Sequence, residues 1–354
     1  MSKSSSSLTG YVGTYTKGDS VGIYRFSLDT EQPGIKDVQV AAKLGNPTYL
    51  TISEDNRYLY SVIKDGESGG VAAYSISGET GELTYLNSQL TEGASPCHVS
   101  VDNENNHVVT ANYHKGTVEL YEVNSENGMV APASSTIQHE GSGPNKERQE
   151  KPHVHYSGFT PDGKYIAVID LGIDKLITYA NNGGVLEEVS CLSLTPGSGP
   201  RHLEFHPNGK HAYLMTELSS EVITLSYDSE SGTFEEIQSL STIPADFTEN
   251  NQGSAIHVTT DGRFVYVSNR GHNSIAVFSV NQESGELTFI EHTSTEGDWP
   301  RDFELDPSER FVVASNQESG NLVLYTRDET TGKLTLIQSD ISVPFPVCVK
   351  FLND

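Results

Sequence analysis

Arg148, His153, His155, Arg201, Glu217, Arg270 and Arg301 bring guanidinium, imidazole and carboxylate groups whose chemistry can act together on a carbonyl compound. A carboxylate or imidazole beside a bound ester carbonyl can activate water as a general base, while guanidinium groups stabilise the developing oxyanion. Several arginines aimed at one point also hold an anionic ligand through paired N–H donors. Glu217 is the one carboxylate placed among these arginines, and His153, which precedes a strand, is the better-placed imidazole. His155 falls within an alternating strand, where an imidazole is more often a hydrogen-bonded packing residue. His98, His114 and Asp170 read as structural. The competing reading is that the arginines pair with acids such as Glu217 and Asp170 only to hold the fold together.

Other chemistries have no footing. The chain contains no Gly-Xaa-Ser-Xaa-Gly elbow, no HExxH, no cysteine pair and no EF-hand loop, so neither a metal nor a cofactor is expected. The charge balance is 22 − 48 = −26. An acidic surface of that size is repelled by phosphate backbones and anionic lipid, which excludes nucleic acid and membranes as expected partners. The charges are dispersed, and 17 Tyr, 12 Phe and 35% apolar residues can bury a large core, so the chain is not a disordered acidic one. Three cysteines (Cys97, Cys191 and Cys348) without metal or redox spacing fit a reducing compartment. With no signal peptide or long apolar run, a cytoplasmic location is expected. Oligomeric state is not legible.

Length alone suggests two domains of about 150 residues each, but a repeat overrides it. The segments NPTYLTISEDNRYLYSVI, SPCHVSVDNENNHVVTANY, VHYSGFTPDGKYIAVIDL, GPRHLEFHPNGKHAYLMTEL, GSAIHVTTDGRFVYVSNRG and WPRDFELDPSERFVVASNQ align beneath one another. Each holds a short alternating strand, a polar turn such as Pro161-Asp162-Gly163-Lys164 and a strongly apolar strand, after which two more strands follow. Four strands recurring at roughly 50-residue intervals, with no helical periodicity, predict propeller blades. The last strand, Pro346 to Leu352, matches the first position of the repeat, and the first, Gly10 to Thr16, matches the second. The C-terminal strand should therefore close a seventh blade with three N-terminal strands, hiding the open edges. The expected fold is all-β: one seven-bladed β-propeller domain spanning 1–354, with 1–9 as a disordered tail.

In such a blade the start of the first strand lies beside the end of the second. The strand-end column holds Tyr15, Lys64, Tyr113, Asp170, Glu217, Arg270 and Gln317, and the strand-start column Thr48, Cys97, His153 with His155, Arg201, Ser254, Arg301 and Val347. Both columns should converge on one mouth of the central channel. That gathers four of the nine arginines there, counting Arg148 from the adjacent long loop 138–151, and adds Tyr15, Tyr113 and Gln317 as candidate substrate contacts. Arg57, Arg263 and Arg310 fall in the opposite turns, where a solvated role is expected.

The run GSGPNKERQEKPHVH, together with GPRHLEFHPNGKHAYLMTEL, VYVSNRGHNSIAVF and WPRDFELDPSERFVVASNQ, resembles the seven-bladed propeller lactonases. That family includes cycloisomerase-type 6-phosphogluconolactonases and a fungal muconate lactonizing enzyme, and the likeness covers essentially the whole chain. The resemblance implies an active site of His153, Arg201, Glu217 and Arg270; Arg148, His155 and Arg301 are added as candidate substrate contacts from their place in the columns and the adjacent loop. It implies a lactone hydrolase acting on a small anionic, phosphorylated sugar lactone, 6-phospho-glucono-1,5-lactone of the pentose phosphate pathway above all. The rival expectations are a non-catalytic propeller that binds an anionic metabolite or protein, and an enzyme for another lactone.

Overall fold

The computed structural model describes residues 7–353 and arranges them as seven four-stranded antiparallel sheets. Counting blades from the first complete repeat, the innermost strands are Leu50–Ile52, His98–Val101, Val154–Phe159, Pro200–Phe205, Gln252–Val258 and Pro300–Leu305. In the seventh blade, Pro346–Phe351 pairs with Ser7–Thr14, which is followed by Gly22–Asp29 and Gly34–Lys43. The register of that closure runs Gly10↔Phe351, Tyr11↔Lys350, Val12↔Val349 and Gly13↔Cys348. Three residues assigned to a tail, Ser7, Leu8 and Thr9, instead extend the strand by pairing with Asp29, Leu28 and Ser27. Leu8 packs against the core between blades six and seven, which gives the strand a reason to start early. The rest of the expected tail, 1–6, lies outside the described residues.

The apolar runs become second strands because sheets cover them on both faces. Tyr58–Asp65, Phe264–Arg270 and Phe311–Asn316 are buried almost throughout. Outermost strands such as Thr233–Ser241 alternate with water instead. There is no single central core; seven apolar clusters fill the spaces between adjacent blades. Second-strand tyrosines pin neighbouring blades together: Tyr11 Oη donates to the Gly81 carbonyl (2.6 Å), Tyr213 to Gly285 (2.9 Å) and Tyr266 to Gly332 (2.7 Å). Each acceptor is the glycine of the next blade's third-to-fourth-strand turn, so a buried hydroxyl is satisfied and a contact repeated.

The Asp-Gly turns cap the face opposite the site. Asp162 Oδ1 accepts from Thr160 Oγ1 (2.6 Å) and Lys164 N (3.2 Å), and Gly163 supplies the left-handed φ of +67°. Among the described residues no helix is long and apolar enough to cross a membrane.

Closure should be indispensable. Deleting 345–354 strips the inner edge of the Ser7–Thr14 strand and uncovers the clusters holding Cys348, Val349 and Phe351. The shortened chain is expected to lose its cooperative thermal transition and to associate through the bared edge; calorimetry and size-exclusion chromatography would show whether it does.

Candidate active site

Both columns converge at one mouth. The cavity there has a volume of about 640 Å³ and is lined from strand ends by Tyr15, Lys64, Tyr113, Glu217 and Arg270. Strand starts contribute Thr48, Cys97, His155 and Arg301, and the long loop contributes Arg148. A cavity of similar size, about 680 Å³, opens on the turn face, but Asp102, Glu104, Asp162 and Glu204 line it against Lys164. The two mouths are of opposite electrostatic character, and only the first suits an anion.

A backbone irregularity aims the strand-start residues. Val154 pairs with Asp170 and Tyr156 with Ile169, so His155 is one residue in excess of its partner strand. The same shift isolates Arg201 between Pro200↔Thr216 and His202↔Met215, and Arg301 between Pro300↔Asn316 and Asp302↔Ser315. A β-bulge re-aims the extra side chain, which is why His155 reaches the cavity although strict alternation marks it as a packing residue.

Glu217 is fixed by its neighbours' backbone. Its N–H donates to the Gly199 carbonyl (2.7 Å), and its own carbonyl accepts from Gly253 N (3.1 Å). Gly199 has φ +58°, and a Cβ there would stand 2.4 Å from Leu218 Cγ, so the glycine before Pro200 is required for this approach. The carboxylate, 4% exposed, is gripped by three guanidinium groups. Arg148 Nη2 bonds Oε1, while Oε2 accepts from Arg201 Nε (3.1 Å) and Arg270 Nη2 (2.7 Å). Burial alone would raise this carboxyl, but the Arg270 and Arg201 charges, with that of Arg148, hold it well below the usual carboxylate range. Burial, followed by the Arg201 charge, holds the His155 imidazole well below its ordinary value, so it is neutral at pH 7. Its Nδ1 is buried without a hydrogen-bond partner. Burial pushes the Cys97 thiol up to about 11, which makes it a poor nucleophile.

The long loop is anchored at both ends. His139 Nδ1 meets Asp170 Oδ2 at 2.7 Å and its Nε2 meets Tyr179 Oη at 3.0 Å. The fully buried Gln149 donates to the Leu171 carbonyl (2.9 Å) and to Asp174 Oδ1 (2.7 Å), setting the adjacent Arg148 over Glu217. Asp170, read from sequence as structural, is the hub of this clamp and also accepts His153 N at 2.8 Å.

Three expected site residues lie behind the cavity wall. His153 stacks on Tyr113 with ring centroids 4.1 Å apart; its Nδ1 meets the Tyr113 carbonyl (2.9 Å) and its Nε2 meets Glu150 (3.1 Å). Arg201 sits under Glu217 and gives Nη1 to the Ser254 carbonyl (2.8 Å). Gln317 braces Arg301, whose Nη1 is 3.5 Å from its Oε1. Trp299, missed as a site residue, lines the mouth with Arg270 5.5 Å above its ring. As the only tryptophan, directly before Pro300-Arg301, it carried a signal in composition and position.

A closed ring of seven blades with a cationic mouth built around one buried carboxylate defines a class, and sequence comparison agrees with it. The model of the family described as lactonase, 7-bladed beta-propeller matches residues 9–351. The chain belongs to that family. It is 60% identical to the 6-phosphogluconolactonase of Bacillus subtilis over 344 residues, covering 97% of this chain and 98% of that one. Among solved structures, a protein from Lactobacillus plantarum superposes with TM-score 0.93 at 46% identity, covering 98% of this chain and 100% of its own. The periplasmic gluconolactonase of Pseudomonas aeruginosa does so with TM-score 0.92 at 32% identity, covering 98% and 99%.

A carboxyl whose folded value is depressed adds stability above its unfolded value, and that contribution fades as pH falls through the folded value. Glu217→Gln removes it and leaves Arg201 and Arg270 buried without a counter-charge. The expected cost at neutral pH is roughly 3–5 kcal/mol, read from urea unfolding, with the gap to the parent narrowing towards pH 3. An unchanged unfolding midpoint at pH 7 would mean that the arginines do not depend on Glu217.

Proposed function

We propose that this chain is a 6-phosphogluconolactonase, hydrolysing 6-phospho-glucono-1,5-lactone to 6-phosphogluconate. The observation that carries the reading is the single ionised carboxylate held among guanidinium groups at the mouth, in a chain so close to the Bacillus enzyme. In this reading Glu217 Oε1, which Arg148 alone engages, orients the water and takes its proton. The water oxygen bonds to the lactone carbonyl carbon, and charge develops on the carbonyl oxygen. Arg270 commits Nη2 and Nε to protein acceptors and has Nη1 left to stabilise that charge. Collapse of the intermediate breaks the bond to the ring oxygen, which takes the proton from Glu217.

Arg201 acts as a positioning residue that keeps Glu217 and Arg270 in register. His153, with both ring nitrogens engaged, supports Tyr113 and the loop carrying Arg148. A base with a depressed pKa is weak, so most of the acceleration falls to the arginines. That suffices for a lactone, whose spontaneous opening is already appreciable. The expected partner is the small phosphorylated lactone, with neither nucleic acid nor membrane. The three free thiols support a reducing, cytoplasmic location.

Two measurements test this. Purified protein should accelerate phosphogluconolactone hydrolysis above the buffer rate, and Glu217→Gln should lower kcat by about 10²–10³-fold. A parent chain that matches the buffer rate is not this enzyme. The pH profile supplies the second. Glu217 is ionised and His155 neutral across the neutral range, so kcat should show no acid limb near the ordinary imidazole value of about 6.5. Activity should fall only below the ordinary carboxyl range, as Glu217 takes up a proton.

A further inference from the structure

The guanidinium groups of the mouth are not equivalent. Arg148, Arg201 and Arg270 all give donors to Glu217. Arg301 does not. Among the described residues its guanidinium makes one hydrogen bond, the long one of 3.5 Å from Nη1 to Gln317, which leaves Nε and Nη2 without an acceptor there. Its guanidinium lies 5.4 Å from the Tyr15 ring centroid, a contact that orients the plane without using its N–H groups.

The ring order separates two arcs. Blades three, four and five carry His155, Glu217 and Arg270, whereas blades six, seven and one carry Arg301, Tyr15 and Lys64. In the second arc Lys64 Nζ is bonded, among the described residues, only to the Gly93 carbonyl (3.0 Å). Lys17, near the same tyrosine, lies 4.3 Å from the Phe345 ring centroid. None of these three cations forms an ion pair among the described residues, although Glu67 also lines the cavity. Trp299, between Arg270 and Arg301, gives the boundary an apolar wall. A phosphate dianion is well matched by uncommitted donors in a planar pair, which Arg301 has, and by a second point charge, which Lys64 supplies.

We infer that the mouth is divided, with the reacting carbonyl held in blades three to five and the phosphate monoester taken by Arg301, backed by Lys64. Arg301 is then the residue that sets preference for a phosphorylated over an unphosphorylated lactone. This rests on the proposed substrate and adds which end of it each arc receives.

The test is steady-state hydrolysis of glucono-1,5-lactone with and without the 6-phosphate, by the parent and by Arg301→Gln. The ratio of kcat/KM values, phosphorylated over unphosphorylated, should fall about 10- to 100-fold in the variant, chiefly through KM. Inhibition by inorganic phosphate should weaken in parallel. Arg301→Lys, which keeps the charge but not the fork, should give an intermediate ratio and serves if the glutamine variant folds poorly. Arg148→Gln should lower turnover of both lactones and keep the ratio. If Arg301 merely braces the fold, its variants will slow both substrates in proportion, and that result overturns the inference. A parent enzyme with no preference for the phosphorylated lactone overturns the substrate reading and this inference together. A parent preference that survives in both Arg301 variants overturns the inference alone.

Discussion

A carboxylate removed from water must be compensated, and the functional end of this molecule is organised around one such group. Glu217 is buried and takes hydrogen bonds from Arg201 in its own blade, Arg270 in the next and Arg148 in the long loop. No two of these arginines belong to the same element, so the cluster exists only when blades four and five are seated and the loop is clamped. A buried charge missing a partner is costly, which makes the cluster a check on assembly. It also keeps Glu217 ionised through the neutral range, with the arginines pre-oriented by the carboxylate they surround.

The propeller supplies that geometry cheaply. Each blade repeats the same hairpin, and closure by Pro346–Phe351 turns a linear repeat into a ring whose strand ends face one axis. Bulges recur in the innermost strands and re-aim side chains there. In blades three, four and six one extra residue breaks the alternation, and those residues are His155, Arg201 and Arg301. A regular strand would send alternate side chains to opposite faces of its blade; the bulge frees one of them to follow the channel.

Much of this was legible in the residues. Alternating strands, Asp-Gly turns and the mismatch between the two chain ends are local patterns, and they yielded the blade number and the closing strand. The strand-end and strand-start columns then located the mouth, including Tyr15, Tyr113, Glu217, Arg270 and Arg301. The N-terminal boundary was misjudged because the burial of Leu8 against the last blade depends on a partner some three hundred residues away. His153 was favoured over His155 on strand alternation, and a bulge reversed which imidazole faces the cavity.

The sequence by itself determined the ring and where its mouth opens, because strand periodicity and turn chemistry are set by near neighbours along the chain. Only the tertiary structure decided which residues of the mouth pair with one another. Arg148, Arg201, Arg270 and Arg301 are alike as residues, and what separates them is which donors are already spent. That depends on distances between blades: three guanidiniums lie within reach of one carboxylate, while the fourth rests on a tyrosine ring and, among the described residues, reaches only Gln317.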